Sequence, residues 1–313
     1  MTPFRLTAPC KDYLWGGTKL REYGKISDKD IIAESWELSC HPDGESIIAD
    51  GNYAGRTLTA FLAEHPEALG TNCARFDRFP VLIKLIDAKD NLSVQVHPDD
   101  AYALANEGEY GKTEMWYIVD AQPGAELIYG FKESITKEEF RRAIEENTLL
   151  DKVNRVPVKK GDVFFIEAGT LHAIGKGILI AEIQQNSNTT YRVYDYGRVG
   201  ADGKPRELHV EKALEVTTLT PAKPQNQLPA TGSTQLLAHC DYFFTTCTEV
   251  ETFCQVSCDR TSFVHLLVLE GDAVLQTQQD KIPVTKGTSV FVPAGTGAFR
   301  IIGKCKFINT TIR

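Results

Sequence analysis

The sequence has no basic surplus, no long apolar run, no CxxC pair and no apolar leader, and each absence closes off a class of function. Its 34 Lys and Arg are outnumbered by 42 Asp and Glu, for a formal charge of −8. Phosphodiester backbones and anionic lipid surfaces select for clustered positive charge, so neither nucleic acid nor a membrane surface is an expected partner. The stretch Val264–Leu269 is interrupted by His265 and falls far short of the roughly 20 residues that span a bilayer. Met1 to Gly16 carries Arg5, Lys11 and Asp12 without a continuous apolar segment, so no export signal is read and the cytoplasm is the expected location. The cysteines Cys10, Cys40, Cys73, Cys240, Cys247, Cys254, Cys258 and Cys305 are scattered, which favours reduced thiols over a disulfide framework.

What is present is enough apolar material, 42% of 313 residues, for one large or two ordinary domains. Most of it lies in short β-branched and aromatic runs punctuated by Gly, Pro, Asn and Asp, the pattern of antiparallel sheets closing into barrels or sandwiches. Helices are few. One is expected near Thr57–Glu64, where Leu58, Phe61 and Leu62 share a face, and another from Thr136, whose hydroxyl can cap while Glu139 reaches back. From Thr217 to Thr234 the chain turns to Thr, Pro, Gln and Gly, as a connection between domains does; an ordered strap over the surface fits the same composition.

An internal echo organises the rest. Val158-Lys159-Lys160-Gly161-Asp162-Val163-Phe164-Phe165-Ile166-Glu167-Ala168-Gly169-Thr170 recurs as Val284-Thr285-Lys286-Gly287-Thr288-Ser289-Val290-Phe291-Val292-Pro293-Ala294-Gly295-Thr296. In each copy a Gly turn feeds a bulky apolar strand and a second Gly turn re-enters the sheet, which predicts a mainly β chain of two jelly-roll barrels with a few short helices. The expected division is a catalytic domain over residues 1–220 and a linker with a smaller C-terminal barrel over 221–313. His172 follows the first echo, whereas the second has Ala298 at that place, so chemistry is assigned to the first copy.

In Leu92-Ser93-Val94-Gln95-Val96-His97-Pro98, strand alternation points Ser93, Gln95 and His97 to one face. Buried polar groups there each cost roughly 1 to 3 kcal/mol unless something satisfies them. A metal ion would do so. Lys112 and Glu114 share a side of the next strand, and His172 follows at the turn of the echo. Gln95, His97, Glu114 and His172 thus form a four-ligand N/O set, and imidazole with carboxylate suits Zn²⁺ best among common ions. His41, His65, His209, His239 and His265 are read as ordinary core or surface histidines. Lys112 with Glu114, taken alone, reads equally as a solvated cross-strand pair. Further on, Glu182 and Gln184 share a face of an apolar strand and Arg192 sits among aromatics. A carboxylate and a guanidinium there suit proton transfer with anion stabilisation, and a structural ion pair is the equally open alternative.

The runs Leu92–Asp99, Lys112-Thr113-Glu114-Met115-Trp116 and Gly169-Thr170-Leu171-His172-Ala173 resemble the zinc-dependent type I mannose-6-phosphate isomerases, which are cupins. The resemblance extends to Trp15-Gly16-Gly17, to Glu34-Ser35-Trp36-Glu37 with His41-Pro42, and to Lys84 in Pro80–Leu85, and so covers most of residues 10–215. It implies one zinc per chain on Gln95, His97, Glu114 and His172. It also implies Arg192 over the reacting carbons, Glu182 or Lys112 in proton transfer, Lys84 as a pocket lysine and Ser93 near the phosphate. Long members of the family follow the active-site Arg with Ala-Gly-Leu-Thr-Pro-Lys. Here Arg192 precedes Val193-Tyr194-Asp195-Tyr196-Gly197-Arg198, and Arg198 takes the place of the final lysine as a phosphate contact.

The implied activity interconverts mannose 6-phosphate and fructose 6-phosphate through a cis-enediol, with a phosphosugar as the partner molecule and a monomer or weak homodimer as the assembly. Two other classes compete. A cupin dioxygenase would hold redox-active iron or copper, commonly on three His and a carboxylate, whereas two suitably placed His are found here. A sugar-phosphate-binding cupin without catalysis would use Glu182 and Arg192 only as hydrogen-bonding groups.

Overall fold

The computed structural model describes residues 1–200, 203–225 and 230–313 and is mainly β, with short helices between the strands. The chain divides into two compact units, and they are not consecutive along the sequence. One comprises residues 1–11, 18–85 and 227–313; the other comprises 12–17 and 86–226. These are not the pieces 1–220 and 221–313 expected from composition. The reason is a strand register, since Phe4, Arg5 and Leu6 pair antiparallel with Phe291, Val290 and Ser289 and so make the N-terminal strand part of the C-terminal sheet.

In that first unit the long strands Val264–Gln276 and Gly297–Thr311 pair antiparallel from His265–Thr310 to Gln276–Arg300. Strands Phe244–Val250 and Phe253–Cys258 both pair with Gly297–Thr311, and Ser289–Val292 pairs with Val264–Gln276. Val264, Leu266, Val268, Val290, Val292, Phe299 and Phe307 fill the core beneath them. A helix spans Leu58–Glu64, with the Thr57 hydroxyl accepting from the Ala60 N–H at 3.1 Å.

The second unit is built from two antiparallel groups of strands. Five strands run in the order Val153–Pro157, Glu126–Phe131, His172–Ile174, Val94–Val96, Tyr191–Tyr194. Three others place Glu114–Ala121 between Val163–Ile166 and Ile178–Gln185. Alternation along the five-stranded sheet sorts its side chains. Val94, Val96, Ala173, Tyr191 and Val193 enter an apolar cluster with Phe140, Ile144, Ala213 and Leu214, residues of the helices Lys137–Glu145 and Val210–Val216. Gln95, His97, His172 and Arg192 are left to the opposite face. The helix Lys137–Glu145 starts as its sequence predicts, with Thr136 and Glu139 in a reciprocal capping box.

The connection expected over Thr217–Thr234 lies in part, at 226–229, outside the described residues. Its first half is an ordered strap on the second unit. The Leu219 carbonyl accepts from the Ile135 N–H at 2.9 Å, Thr218 donates to the Gly169 carbonyl at 2.8 Å, and the Gln225 side-chain oxygen accepts from the Phe165 N–H at 2.8 Å.

Candidate metal centre

His97, Glu114 and His172 are buried, and one donor atom from each lies within 4.8 Å of the others. Strand pairing puts them there. His172 and Arg192 sit on either side of Gln95 in the five-stranded sheet, while Glu114 opens the strand Glu114–Ala121 and faces Gln184 in register. His172 Nε2 lies 3.4 Å from Glu114 Oε1, and His97 Nε2 lies 3.8 Å from Glu114 Oε2.

The other ring nitrogens decide what these atoms can do. His97 Nδ1 is 2.8 Å from the Thr189 carbonyl oxygen and His172 Nδ1 is 2.8 Å from that of Thr170. A carbonyl only accepts, so each Nδ1 carries the proton and each Nε2 presents a lone pair towards Glu114. Burial pushes the His172 pKa down to about 4, which keeps that ring neutral at pH 7. Among the described residues His172 Nε2 has no hydrogen-bond partner, an expensive arrangement in a protein interior. Two imidazoles fixed through Nδ1 to carbonyls, converging on a carboxylate, fit a divalent cation such as zinc. Gln95 lies beside them on its strand, half-buried, with its side-chain oxygen 3.4 Å from the Ser93 hydroxyl.

Around this set lie the groups that can move or steady a proton. Lys112 Nζ is 3.0 Å from Glu114 Oε2, 3.3 Å from His97 Nε2 and 3.9 Å from Glu182 Oε1. Glu182 is held from its other oxygen by the Trp116 indole N–H at 3.0 Å. The formal charges of Glu114, Glu182 and Lys112 sum to −1, so a divalent ion would leave the centre positive and receptive to an anion. Arg192 donates from Nε to the Ser93 hydroxyl at 3.3 Å and from Nη1 to the Glu207 carbonyl at 3.0 Å. Burial first, then the charges of Arg206 and Arg198, lower its pKa below the ordinary guanidinium value. Arg198 is tied to Asp195 and donates to the Asn91 carbonyl at 2.6 Å. Lys84 belongs to the other compact unit, where its Nζ lies 3.6 Å from Glu34 Oε2 and 4.9 Å above the Trp36 ring.

Sequence reasoning passed over several members of this arrangement. Thr170 and Thr189 act through backbone carbonyls, which no side-chain pattern marks. Trp116 was visible beside Glu114, but only the cross-strand register, which pairs it with Glu182, shows what its N–H does. Arg206 and Asp195 were not singled out.

The chain is similar to known proteins along nearly its whole length. A family model described as "Phosphomannose isomerase type I, catalytic domain" matches residues 3–127, and one described as "Mannose-6-phosphate isomerase, cupin domain" matches residues 233–312. The mannose-6-phosphate isomerase ManA of Bacillus subtilis is 40% identical over 305 residues, covering 95% of each chain. A crystal structure of the mannose 6-phosphate isomerase from Bacillus subtilis superposes with a TM-score of 0.92 at 37% identity, covering 99% of both chains. A more distant fold neighbour, a mannose 6-phosphate isomerase bound with zinc and yttrium, superposes with a TM-score of 0.81 at 18% identity over the full length of both chains.

Proposed function

This chain belongs to the type I phosphomannose isomerases, and from that membership we propose that it interconverts mannose 6-phosphate and fructose 6-phosphate as a zinc-dependent enzyme of two cupin-type barrels. The observation that carries the zinc reading is the pair of Nδ1-protonated imidazoles, His97 and His172, aimed through Nε2 at one buried carboxylate. Gln95, His97, Glu114 and His172 would hold the ion. When bound, zinc would supply Lewis acidity and fixed positive charge beside the sugar's carbonyl oxygen.

The chain's own residues supply the proton chemistry. Aldose–ketose isomerisation moves a proton between C1 and C2 of the open sugar, with a cis-enediol between. A base must take the proton from one carbon and return it to the next on the same face. Glu182 is held at one oxygen by Trp116 and has its other oxygen 3.9 Å from Lys112 Nζ, so the two form a base–acid pair for that shuttle. Arg192, anchored by Ser93 and the Glu207 carbonyl, adds a fixed cation for the negative charge that develops on the sugar oxygens. Burial of the Glu114 and Glu182 carboxylates keeps water away and strengthens each of these interactions.

The test is turnover of mannose 6-phosphate in a coupled fructose 6-phosphate assay, with and without a chelator and with metal analysis of the purified protein. Chelator-sensitive turnover with about one zinc per chain is the expected result. A metal-free protein that turns over at full rate would remove the zinc assignment, and a zinc-loaded protein without turnover would remove the isomerase assignment.

A further inference from the structure

The segment after Arg192 builds a second group of cations that the reaction as derived does not use. Asp195, Tyr196, Gly197 and Arg198 form a tight turn closed by the Arg198 N–H on the Asp195 carbonyl at 3.1 Å. Both central residues have positive φ, 58° at Tyr196 and 66° at Gly197. That conformation suits Gly and strains Tyr, and its effect is to fold Arg198 back onto Asp195. From the far side of the loop Arg206 places Nε and Nη2 on the two Asp195 oxygens at 2.8 and 2.6 Å. One carboxylate therefore clamps two guanidiniums, and the Asp195 side chain is only 6% exposed against 22% for Arg198 and 31% for Arg206.

Arg198 and Arg206 lie near enough to depress the pKa of Arg192, against the opposite pull of Asp195 and Glu207, and among the described residues the carboxylate ion-paired with Arg198 and Arg206 is Asp195. One carboxylate shared between two guanidiniums leaves them N–H donors that an anion can take up. Arg206 spends Nε and Nη2 on Asp195, and among the described residues no hydrogen bond involves its Nη1. Arg198 and Arg206 also both line a cavity of about 230 Å³ with Asp12, Tyr13, Leu14 and Trp15, so a ligand can reach them. Asp195 lies three residues beyond Arg192, just past the end of the strand Tyr191–Tyr194 and its register shift, so the two are at most about 10 Å apart, comparable with the six-bond span from C2 to phosphorus in an open-chain hexose 6-phosphate.

We propose that Arg206 is a phosphate-binding and specificity-determining residue of the substrate site, and that Asp195 is its positioning residue, holding the Arg198–Arg206 pair as one dianion receptor. This rests on the isomerase reading above. A bidentate carboxylate orients the planar guanidinium fork, and the remaining N–H edge is then pre-aimed at phosphate oxygens. The pair would select phosphorylated over free sugar, and Asp195 would never touch the substrate.

The experiment compares the metal-loaded full chain with Arg206→Gln, Arg206→Lys and Asp195→Asn. Lys304→Gln serves as a charge control at a site whose side chain is 77% exposed. Calorimetric titration with inorganic phosphate is measured beside KM and kcat for mannose 6-phosphate, metal content and thermal unfolding. Arg206→Gln is expected to weaken inorganic phosphate binding and raise KM by roughly 10- to 100-fold, with little change in kcat and none in metal content. Arg206→Lys should fail to restore binding because it lacks the fork, and Asp195→Asn should follow in the same direction by a smaller factor. A wild type that turns over while Arg206→Gln keeps wild-type phosphate affinity and KM overturns the proposal, as does a wild type that does not bind phosphate. A loss of kcat and metal with phosphate affinity intact also overturns it, by showing a structural role. Phosphate binding that depends on Arg206 in a protein without isomerase turnover would leave the receptor standing and remove the reaction.

Discussion

The two copies of the echo motif have the same backbone and opposite contents. In the first, Gly161 donates to the Ile118 carbonyl at 2.8 Å and Ile118 donates to the Asp162 carbonyl at 2.9 Å; in the second, Gly287 donates to the Val268 carbonyl at 2.8 Å and Val268 donates to the Thr288 carbonyl at 3.0 Å. Asp162 and Thr288 each cap the turn from a side-chain oxygen at 2.9 Å, and Gly161 and Gly287 share φ values of 91° and 84°. These bonds align Ile118 with Val268, and the neighbouring registers then set Glu114 against Val264 and Glu182 against Asn309. A buried carboxylate thus answers to a valine packed with Val292 and Phe299, and His172 answers to Ala298. The turns specify the scaffold, and a few inward-facing strand positions specify whether it gathers polar donor groups or a hydrocarbon core.

The sharpest way to break the comparison is to give the first copy the contents of the second. Glu114→Val should abolish metal binding and turnover, a loss of at least about 10³-fold, read by metal analysis and the coupled assay. Glu182→Gln should keep the metal while lowering kcat by about 10² to 10⁴, with solvent deuterium no longer entering the sugar. Retained exchange would reassign the base. In the reverse direction, Val264→Glu places an unpaired carboxylate in a dry cluster and should cost about 3 to 5 kcal/mol, seen as a lowered denaturation midpoint without any gain of metal.

The smallest expected effect concerns pH. His265 in the second copy is buried, and burial pushes its pKa down to about 3; the metal-free His172 stands at about 4. Both folded values lie below the unfolded value near 6.5, so the unfolded chain binds more protons in the interval. Stability is therefore complete above about pH 6.5 and falls as pH drops towards 4, by about 3 kcal/mol for each histidine. His265→Met, which installs the residue found at the matching first-copy position, Met115, should flatten that acid slope in denaturant titrations at pH 4 to 7.

Much of the site was legible because it breaks a rule that strands otherwise keep. Polar Ser93, Gln95 and His97 stand on the alternate positions of a run whose other members, Val94 and Val96, are core residues, and polar groups so placed call for partners. Glu114 was read from its strand shared with Lys112 and from the family motifs, and His172 from the echo and the family motifs. The helix starts at Thr57 and Thr136 were local chemistry and needed no tertiary information. What was not legible depends on partners distant in sequence. Arg206 acquires meaning only when the Tyr196–Gly197 turn brings Asp195 between it and Arg198. The division into units depends on a register, Leu6 with Ser289, that no local pattern encodes.

That register also governs how the chain can be made. Leu6 and Ser289 are 283 positions apart, so at about 5 to 20 residues per second the N-terminal strand emerges roughly 15 to 60 s before its partner exists. Residues 86–226, by contrast, carry nearly all of their own unit in one continuous stretch and can collapse while the ribosome is still working. The nascent polypeptide must keep its first apolar segment, Phe4 to Leu6, from mispairing throughout that interval. A circular permutant that delivers this segment after Arg313 would remove the wait, at no change to the finished molecule's strand order.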